Sequence, residues 1–492
     1  MSNKSFHKSV QLDGHLVIHE LNMEHHLSFD VEQFDLAELH ALNPSRYPFL
    51  LESVAKSKPI PGSTAELGQF DILFAFPQDI LQLDDLSQAE SFVEQVQNRF
   101  KQCVQLDENA ASTLPFIGGW FAYFSYDYAQ VVEPVLQLPK SEFPLASLTR
   151  IPSAVIIDHK HRKLYIVTEQ AYDEHATLMM ADIEALSERL DQDISSLPEQ
   201  AVAIVSAHEE VDSKYLDGVE AIKEYIFAGD VFQVNLSRLW KVELEAGTNY
   251  LNLYRALRKS NPAPFAAMAN FTAFGAQSGD WQIMSSSPER LVKYEHPWVE
   301  TRPIAGTRER GQDEAADTAL VKELIEHPKE RAEHIMLIDL ERNDLGRICQ
   351  PGTVEVDELM VVETYEHVHH IVSNVRGKLR PGFSPLDIVH ALFPGGTITG
   401  CPKIRCMQIV AELEQMPREA YTGSLGYINM DGSMDLNILI RSMIQSVEAG
   451  KPIVQFRAGA GIVADSEANF ELVETRHKAK GLIKAFAEKS IV

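Results

Sequence analysis

The chain has 492 residues, 45% hydrophobic and 23% charged, the make-up of an ordinary globular protein with room for about two to four cores. Lys+Arg 44 against Asp+Glu 71 gives a formal net charge of -27, which excludes non-specific binding to nucleic acid or an acidic membrane; an anionic ligand must meet a local cationic site. The start, "MSNKSFHKSVQLDGHLVIHEL", holds no signal-peptide core, there is no apolar run of ~18 residues, and four cysteines make no disulfide framework, so a cytoplasmic chain with reduced thiols is expected.

In chain order, short strand patterns come first: "GHLVIHEL", "FDILFAF" and "AVIIDHKHRKLYIVTE" alternate with helical ones such as "SQAESFVEQVQNRFKQCVQ". The polar stretch 187–218, with its Pro, Ser and acids, reads as a connector and divides an N-terminal region, 1–190, from a second region, 210–488. Longer strand runs follow in that second region, among them "WQIMSSSPERLVKY" and "KPIVQFRAGAGIVADS", and "MDGSM" around Asp431 and Gly432 is a hairpin signal. The expected fold class is α+β, an α/β sandwich of two face-packed, largely antiparallel sheets flanked by helices.

Chemistry-bearing residues concentrate in the second region. "SSSPER" puts Glu289 after a proline at a strand end, where a carboxyl could project from a rigid turn, although glutamates beside proline are also common on surfaces. "TRPIAGTRERG", 301–311, packs three arginines around Ala305 and Gly306 and raises the question of an anion. Pro328 should end the preceding helix; beyond it Glu330, Glu333 and His334 share a helical neighbourhood with Asp339 and Arg342, which also suits a solvated, charge-paired face. "FPGGTITGCPKIRC" reads as a Gly/Thr loop feeding a helix, with Thr397 and Thr399 able to cradle a carboxylate. It lacks the G-x-x-x-x-G-K-[ST] of a P-loop, and "AGAGIVAD" lacks the dinucleotide fingerprint, so nucleotide chemistry is disfavoured. Cys401 and Cys406 lack zinc spacing. In "NFELVETRHKAKGLIKAF" Leu472, Ala479, Leu482 and Ile483 should face inward, and Glu471 and Glu474, one turn apart, repel unless a cation or proton intervenes. Mg²⁺, which takes a few carboxylates and leaves positions to water and substrate, suits such glutamates from two helices.

Taken together and in order, "SSSPER", "RPIAGTRERG", "RAEHIMLIDLERNDLGRIC", "HVHHIVS", "FPGGTITGCPKIRCMQI", "GSLGYI", "LIRSM" and "AGAGIVADS" resemble the chorismate-binding domain. That domain is shared by anthranilate synthase component I, aminodeoxychorismate synthase component I, and the isochorismate and salicylate synthases. The resemblance covers about 210–485, and "RYPFLLES" and "FIGGWFAYFSYDY" extend it to the N-terminal region of the ammonia-using branches. It implies that Glu333 and Glu474, with Glu330 and Glu471 nearby, ligate Mg²⁺ against the ring carboxylate of chorismate. It further implies that Glu289 is the general acid for the departing 4-hydroxyl and that His370 sits beside the ring; the residue pattern alone equally allows a core histidine. Thr397, Tyr427, Arg441, Gly459 and Gly461 would bind the enolpyruvyl carboxylate, with Lys403 adding positive charge. Glu52, Ser53 and Asn261 would line a pocket in which relatives bind tryptophan.

The resemblance also bears on the branch. Isochorismate and salicylate synthases resemble one another in carrying a water-activating lysine where this chain has Gln233, so ammonia from a glutaminase partner becomes the expected nucleophile. Ala305 stands where many aminodeoxychorismate synthases carry a lysine, which matches anthranilate synthases. Against it, His369, "NPAPFAA", "FPGGTITGCPK" and "RYPFLLES" look more like the folate-pathway branch, and the expectation is an aminodeoxychorismate synthase component I. A non-catalytic sensor of an aromatic metabolite is the contrasting class, for which Glu289, Glu333 and Glu474 would be dispensable.

Overall fold

The strand Lys451–Ile462 shows how the sequence makes layers. Its even residues Phe456, Ala458 and Ala460 are buried beneath helices, while Arg457, Gly459 and Gly461 face the other way, the two-residue period of a pleated strand. The computed structural model describes residues 6–12, 15–21, 31, 34–55, 68–101, 103, 113–191, 200–272, 279–365 and 368–486. Residues 192–199 of the expected connector, and His367 of "HVHHIVS", lie outside them.

The larger sheet has 13 strands, and every pairing in it is antiparallel. Across its middle run Phe70–Ala75, Phe49–Glu52, Phe265–Asn270, Trp281–Ser287, Ser442–Glu448, Lys451–Ile462 and Gln233–Leu244. The second sheet, of 10 strands, runs from Ile304–Glu309 through Val368–Lys378, Trp298–Thr301, Arg290–Glu295, Met434–Asn437, Ser424–Asn429, Gly119–Phe124 and Ala146–Ile151 to Ile80–Leu83. Both sheets take strands from both regions: Phe49–Glu52 pairs with Phe265–Asn270, and Gly119–Phe124 with Ser424–Asn429.

The sheets meet through aromatic side chains. Phe49 stacks on Phe121 at 4.0 Å and Phe271 on Trp281 at 4.1 Å, with Tyr123 reaching the same indole from the opposite sheet. Each such ring, fully buried, contributes about 1.5–3 kcal/mol. Helices Leu36–Leu42, Glu174–Asp191, Tyr250–Ser260 and Ala468–Ile483 cover the outer face of the larger sheet; Ala89–Phe100, Pro328–Gly346 and Pro385–Leu392 cover the other. The sandwich and its flanking helices are as expected, as is the hairpin joining Ser424–Asn429 to Met434–Asn437 around Gly432, whose φ of 87° suits glycine. Pro328 acts as read: Glu314–Glu326 ends before it, and it sits in the first turn of the next helix, where a missing N–H costs nothing. Leu472, Ala479 and Leu482 are buried, with Ile483 half-buried. Among the described residues no helix is long and apolar enough to cross a membrane.

Candidate active site

Strand Trp281–Ser287 delivers Glu289. After the strand ends, the Ser287 hydroxyl accepts from the Glu289 N–H at 3.2 Å, and the Glu289 carbonyl accepts from Ile438 N–H at 3.0 Å, which pins the turn. The carboxyl is 5% exposed, and burial pushes its pKa up to about 7, with the Thr397 hydroxyl and the Ile304 N–H pulling the other way. Glu289 Oε1 and Thr397 Oγ1 are both buried without a hydrogen-bond partner in the described structure. A carboxyl in this state is a proton donor at neutral pH.

Arg441 occupies a left-handed position, φ 53°, just before Ser442–Glu448. Its guanidinium has no hydrogen bond or ion pair with another described residue; burial lowers its pKa, and Tyr421 and Glu474 act on it only through space. His370 Nδ1 lies 2.9 Å from the Thr307 hydroxyl, and burial, reinforced by the charge of Arg441, pushes the imidazole down to about 4. It is therefore neutral at pH 7. Gly459 is glycine for want of space: a Cβ there would lie 2.6 Å from Leu236 O and 2.9 Å from the Tyr421 hydroxyl. Lys478 Nζ donates to Gly459 O at 3.0 Å and pairs with Glu474 at 2.7 Å.

The four glutamates come from two helices, as expected from their positions in Pro328–Gly346 and Ala468–Ile483. Lys329 and Asp465, 3.2 Å apart, join the two helix beginnings. Glu333 accepts from Gln233 Nε2 at 2.9 Å, and a Cβ on Gly461 would lie 2.3 Å from that nitrogen. Glu330 takes Arg308 at 2.6 Å while its Oε2 is buried without a partner. Glu471 accepts from the Ser466 hydroxyl at 2.6 Å, and burial, then the nearby charge of Glu474, raises its pKa. Among the described residues no three His, Cys, Asp or Glu side chains form a group that could hold a metal unaided. An all-oxygen donor set with an orphaned buried carboxylate oxygen nevertheless fits the chemistry of Mg²⁺, which uses one or two carboxylates beside substrate and water.

Several expectations need correction. Tyr427 is not beside Arg441: on Ser424–Asn429 it points between the sheets and lines a separate cavity, and Tyr421, at the turn before that strand, is the tyrosine near Arg441 and Gly459. The arginines of 301–311 hold internal carboxylates: Arg302 pairs with Glu358 and Glu363, Arg308 with Glu323 and Glu330, and Arg310 with Asp317. Ala305 is in strand Ile304–Glu309, paired with Ile371 beside His370, and the strand bulges at Gly306. The Thr399 hydroxyl donates to the Gly395 and Gly396 carbonyls, which leaves Thr397 as the open hydroxyl. Lys403 is engaged by Asp344 at 2.5 Å. Asp339 and Arg342 are an exposed pair, and His334 is a core histidine bonded to Ser373. Sequence reasoning missed Tyr421 and the buried pair Glu341 and Asp344, although "TGSLGY" and "DLERND" stood on either side of its choices.

A cavity partly open to solvent lies between the sheets and is lined by Glu52, Ser53, Phe265, Arg290, Tyr427 and Asp435 among others. Ser53 Oγ donates to Pro264 O at 3.0 Å; Arg258 reaches Glu52 at 2.9 Å, and burial pushes the Glu52 carboxyl up to about 7. Asn261 is not in its lining, because its side chain packs against Gly481 and donates to Ser286 O.

Residues 47–484 match the family model described as chorismate binding enzyme. The chain is 43% identical over 385 residues to an anthranilate synthase component I-like protein of Synechocystis sp., covering 78% of this chain and 75% of that protein. It is 40% identical over 379 residues to aminodeoxychorismate synthase component 1 of Bacillus subtilis, covering 75% of this chain and 77% of that protein. The crystal structure of anthranilate synthase component I from Streptococcus pneumoniae superposes with a TM-score of 0.70 at 31% identity, over 86% of this chain and 93% of that one.

Proposed function

This chain belongs to the chorismate binding enzymes, and from that premise we propose that it aminates chorismate as component I of an aminodeoxychorismate synthase, with ammonia supplied by a glutaminase partner. The observation that carries the reading is Arg441, a half-buried guanidinium with no carboxylate of its own in the described structure. A cation partly withdrawn from water and left unpaired is destabilised unless a ligand completes it, and a carboxylate is the natural complement. In this reading Arg441, Tyr421 and the N–H groups around Gly459 and Gly461 take the enolpyruvyl carboxylate, and Thr397 lies beside Glu289. Glu289 protonates the departing 4-hydroxyl, and neutral His370 packs beside the ring. Gln233 cannot deprotonate water, which leaves ammonia as nucleophile. Glu333 and Glu474, with Glu330 and Glu471, would hold Mg²⁺; once bound, the ion supplies charge neutralisation for the ring carboxylate.

The folate-type branch rests on His369, "NPAPFAA", "FPGGTITGCPK" and "RYPFLLES". Anthranilate synthesis is the second reading, favoured by Ala305, which offers no amine in Ile304–Glu309 for covalent addition to the ring. The test is direct: the chain is incubated with chorismate, Mg²⁺ and an ammonium salt, and the product identified. 4-Amino-4-deoxychorismate, converted by a lyase to 4-aminobenzoate, is the expected result. Anthranilate with pyruvate overturns the branch, and an unchanged substrate overturns amination altogether. Strong inhibition by tryptophan, through a pocket at Glu52 and Ser53, would also favour the anthranilate reading.

A further inference from the structure

One carboxylate outside the cleft gathers three elements on which the cleft depends. Asp317 lies in the first turn of helix Glu314–Glu326. Its Oδ1 accepts from Arg310 Nε at 2.8 Å, from Gly311 N–H at 2.8 Å and from His369 Nε2 at 2.9 Å, and its Oδ2 accepts from Arg310 Nη2 at 2.8 Å. Arg310 and Gly311 directly follow strand Ile304–Glu309, and His369 is on strand Val368–Lys378. The Arg310 fork, then Gly311 and His369, hold the Asp317 carboxyl well below the ordinary carboxylate range, so it is ionised. An ionised carboxylate only accepts, so Nε2 of His369 carries a proton, and Nδ1 of the same ring lies 2.9 Å from the Thr364 hydroxyl. Gly311 permits the close approach, since a Cβ there would collide with the Asp317 backbone nitrogen.

The strand that ends at this carboxylate is weakly held by its sheet. Among the described residues Ile304–Glu309 pairs only with Val368–Lys378, and the ladder is interrupted by a register shift between Ala305 and Thr307. An edge held by one short, broken ladder opens easily unless side chains fix its end. Yet this strand carries two supports of the cleft. Thr307 Oγ1 lies 2.9 Å from His370 Nδ1, and Arg308 Nη1 donates to Glu330 Oε1 at 2.6 Å. A Cβ on Gly306 would collide with Glu330 Oε2, so the strand lies hard against that carboxylate.

We propose that Asp317 is a positioning residue: by clasping the end of Ile304–Glu309 to helix Glu314–Glu326 and to His369, it holds Thr307 on His370 and Arg308 on Glu330. This rests on the reading of His370 and Glu330 as groups of the cleft. Two to three residues of chain, at most about 10 Å, separate Arg310 from Arg308 and Thr307, so slack at the clasp reaches both contacts. The same helix adds Glu323, 3.1 Å from Arg308, which joins helix and strand a second time.

The test pairs Asp317→Asn with Thr307→Val in a double-mutant cycle on chorismate amination at saturating Mg²⁺. Asp317→Asn should lower kcat about tenfold while KM for chorismate stays within about twofold, and Asp317→Glu should restore most of the loss. In the Thr307→Val background the same change should cost at most about twofold, because the contact through which it acts is already gone. The Mg²⁺ concentration giving half-maximal activity should also rise in Asp317→Asn as Arg308 loosens from Glu330. Additive losses, or a Mg²⁺ requirement that does not move, overturn the proposal. A second readout needs no turnover: amide hydrogen exchange, followed by mass spectrometry, should quicken over residues 304–311 in Asp317→Asn and stay unchanged over 281–287. Equal exchange in the two chains overturns the clasp, and faster exchange spread evenly along the chain means general destabilisation and overturns it too. If the unaltered chain aminates nothing, the reading of the cleft fails separately, while hydrogen exchange still decides whether the clasp exists.

Discussion

Two sets of half-buried arginines in this molecule are treated in opposite ways. Between the sheets Arg290 grips Asp435 through two hydrogen bonds of 2.8 and 2.9 Å, and on helix Tyr250–Ser260 Arg258 is shared between Glu52 and Asp35. In the cleft near Gly459, Arg441 has no such partner, and Glu289 has a carboxyl oxygen with none either. Pairing closes the account of a charge inside the protein; a charge or acid left open marks where something from outside must complete it. The difference separates architecture from chemistry more sharply than burial does, since the arginines of both sets are half-buried.

The contrast can be broken most directly at Glu289. Glu289→Gln should lower kcat by about 10²–10⁴-fold while chorismate affinity, measured by titration, stays within about twofold; near-normal turnover would remove the acid from the cleft's chemistry. Next, Asp435→Ala should cost about 3–5 kcal/mol in denaturant unfolding by stranding Arg290, with chorismate binding intact. Arg441→Met should do the reverse, weakening chorismate binding by about tenfold to a hundredfold and leaving stability equal or higher. Equal stability losses in those two variants would erase the distinction. Glu474→Ala should raise the Mg²⁺ concentration giving half-maximal activity by about tenfold, and an unchanged requirement would release that glutamate from the ion.

The smallest expected effect is thermal and follows from linkage. The Glu289 carboxyl is raised from an ordinary 4.5 to about 7, so its stabilising contribution is complete below 4.5 and is lost as pH climbs through 7. The melting temperature of the unaltered chain, relative to Glu289→Gln, should therefore drop by a few degrees between about pH 5 and about pH 8. A constant difference across that range would mean the carboxyl is not held protonated.

What could be read from the residues was what local chemistry decides. The hairpin at Gly432, the break at Pro328, the apolar stripe through Leu472, Ala479 and Leu482, and a strand ending at Glu289 all depend on neighbours a few positions away. What escaped depends on distant partners. Nothing within 301–311 says that Arg302 will meet Glu358 and Glu363 on the strand Glu355–Thr364. Tyr421 and Tyr427 are six residues apart in the same glycine-rich stretch, and only the pleat of Ser424–Asn429 sends Tyr427 between the sheets. Asn261 lies in the motif expected at the pocket, but helix Ala468–Ile483 draws it away through Gly481. Glu341 has no local signal in its charged helix, and its buried position comes from packing against the distant Gly396 turn.

The placement of Gly119–Phe124 has a consequence for how the molecule is made. One edge of this strand can find Ala146–Ile151 soon after leaving the ribosome, but the other waits for Ser424–Asn429, near the end of synthesis. Through that interval a row of unmatched N–H and C=O groups on a strand with apolar side chains is open to foreign strands. Slow or cool expression and chaperone supply should therefore govern the recovered yield, independently of how well the finished molecule performs.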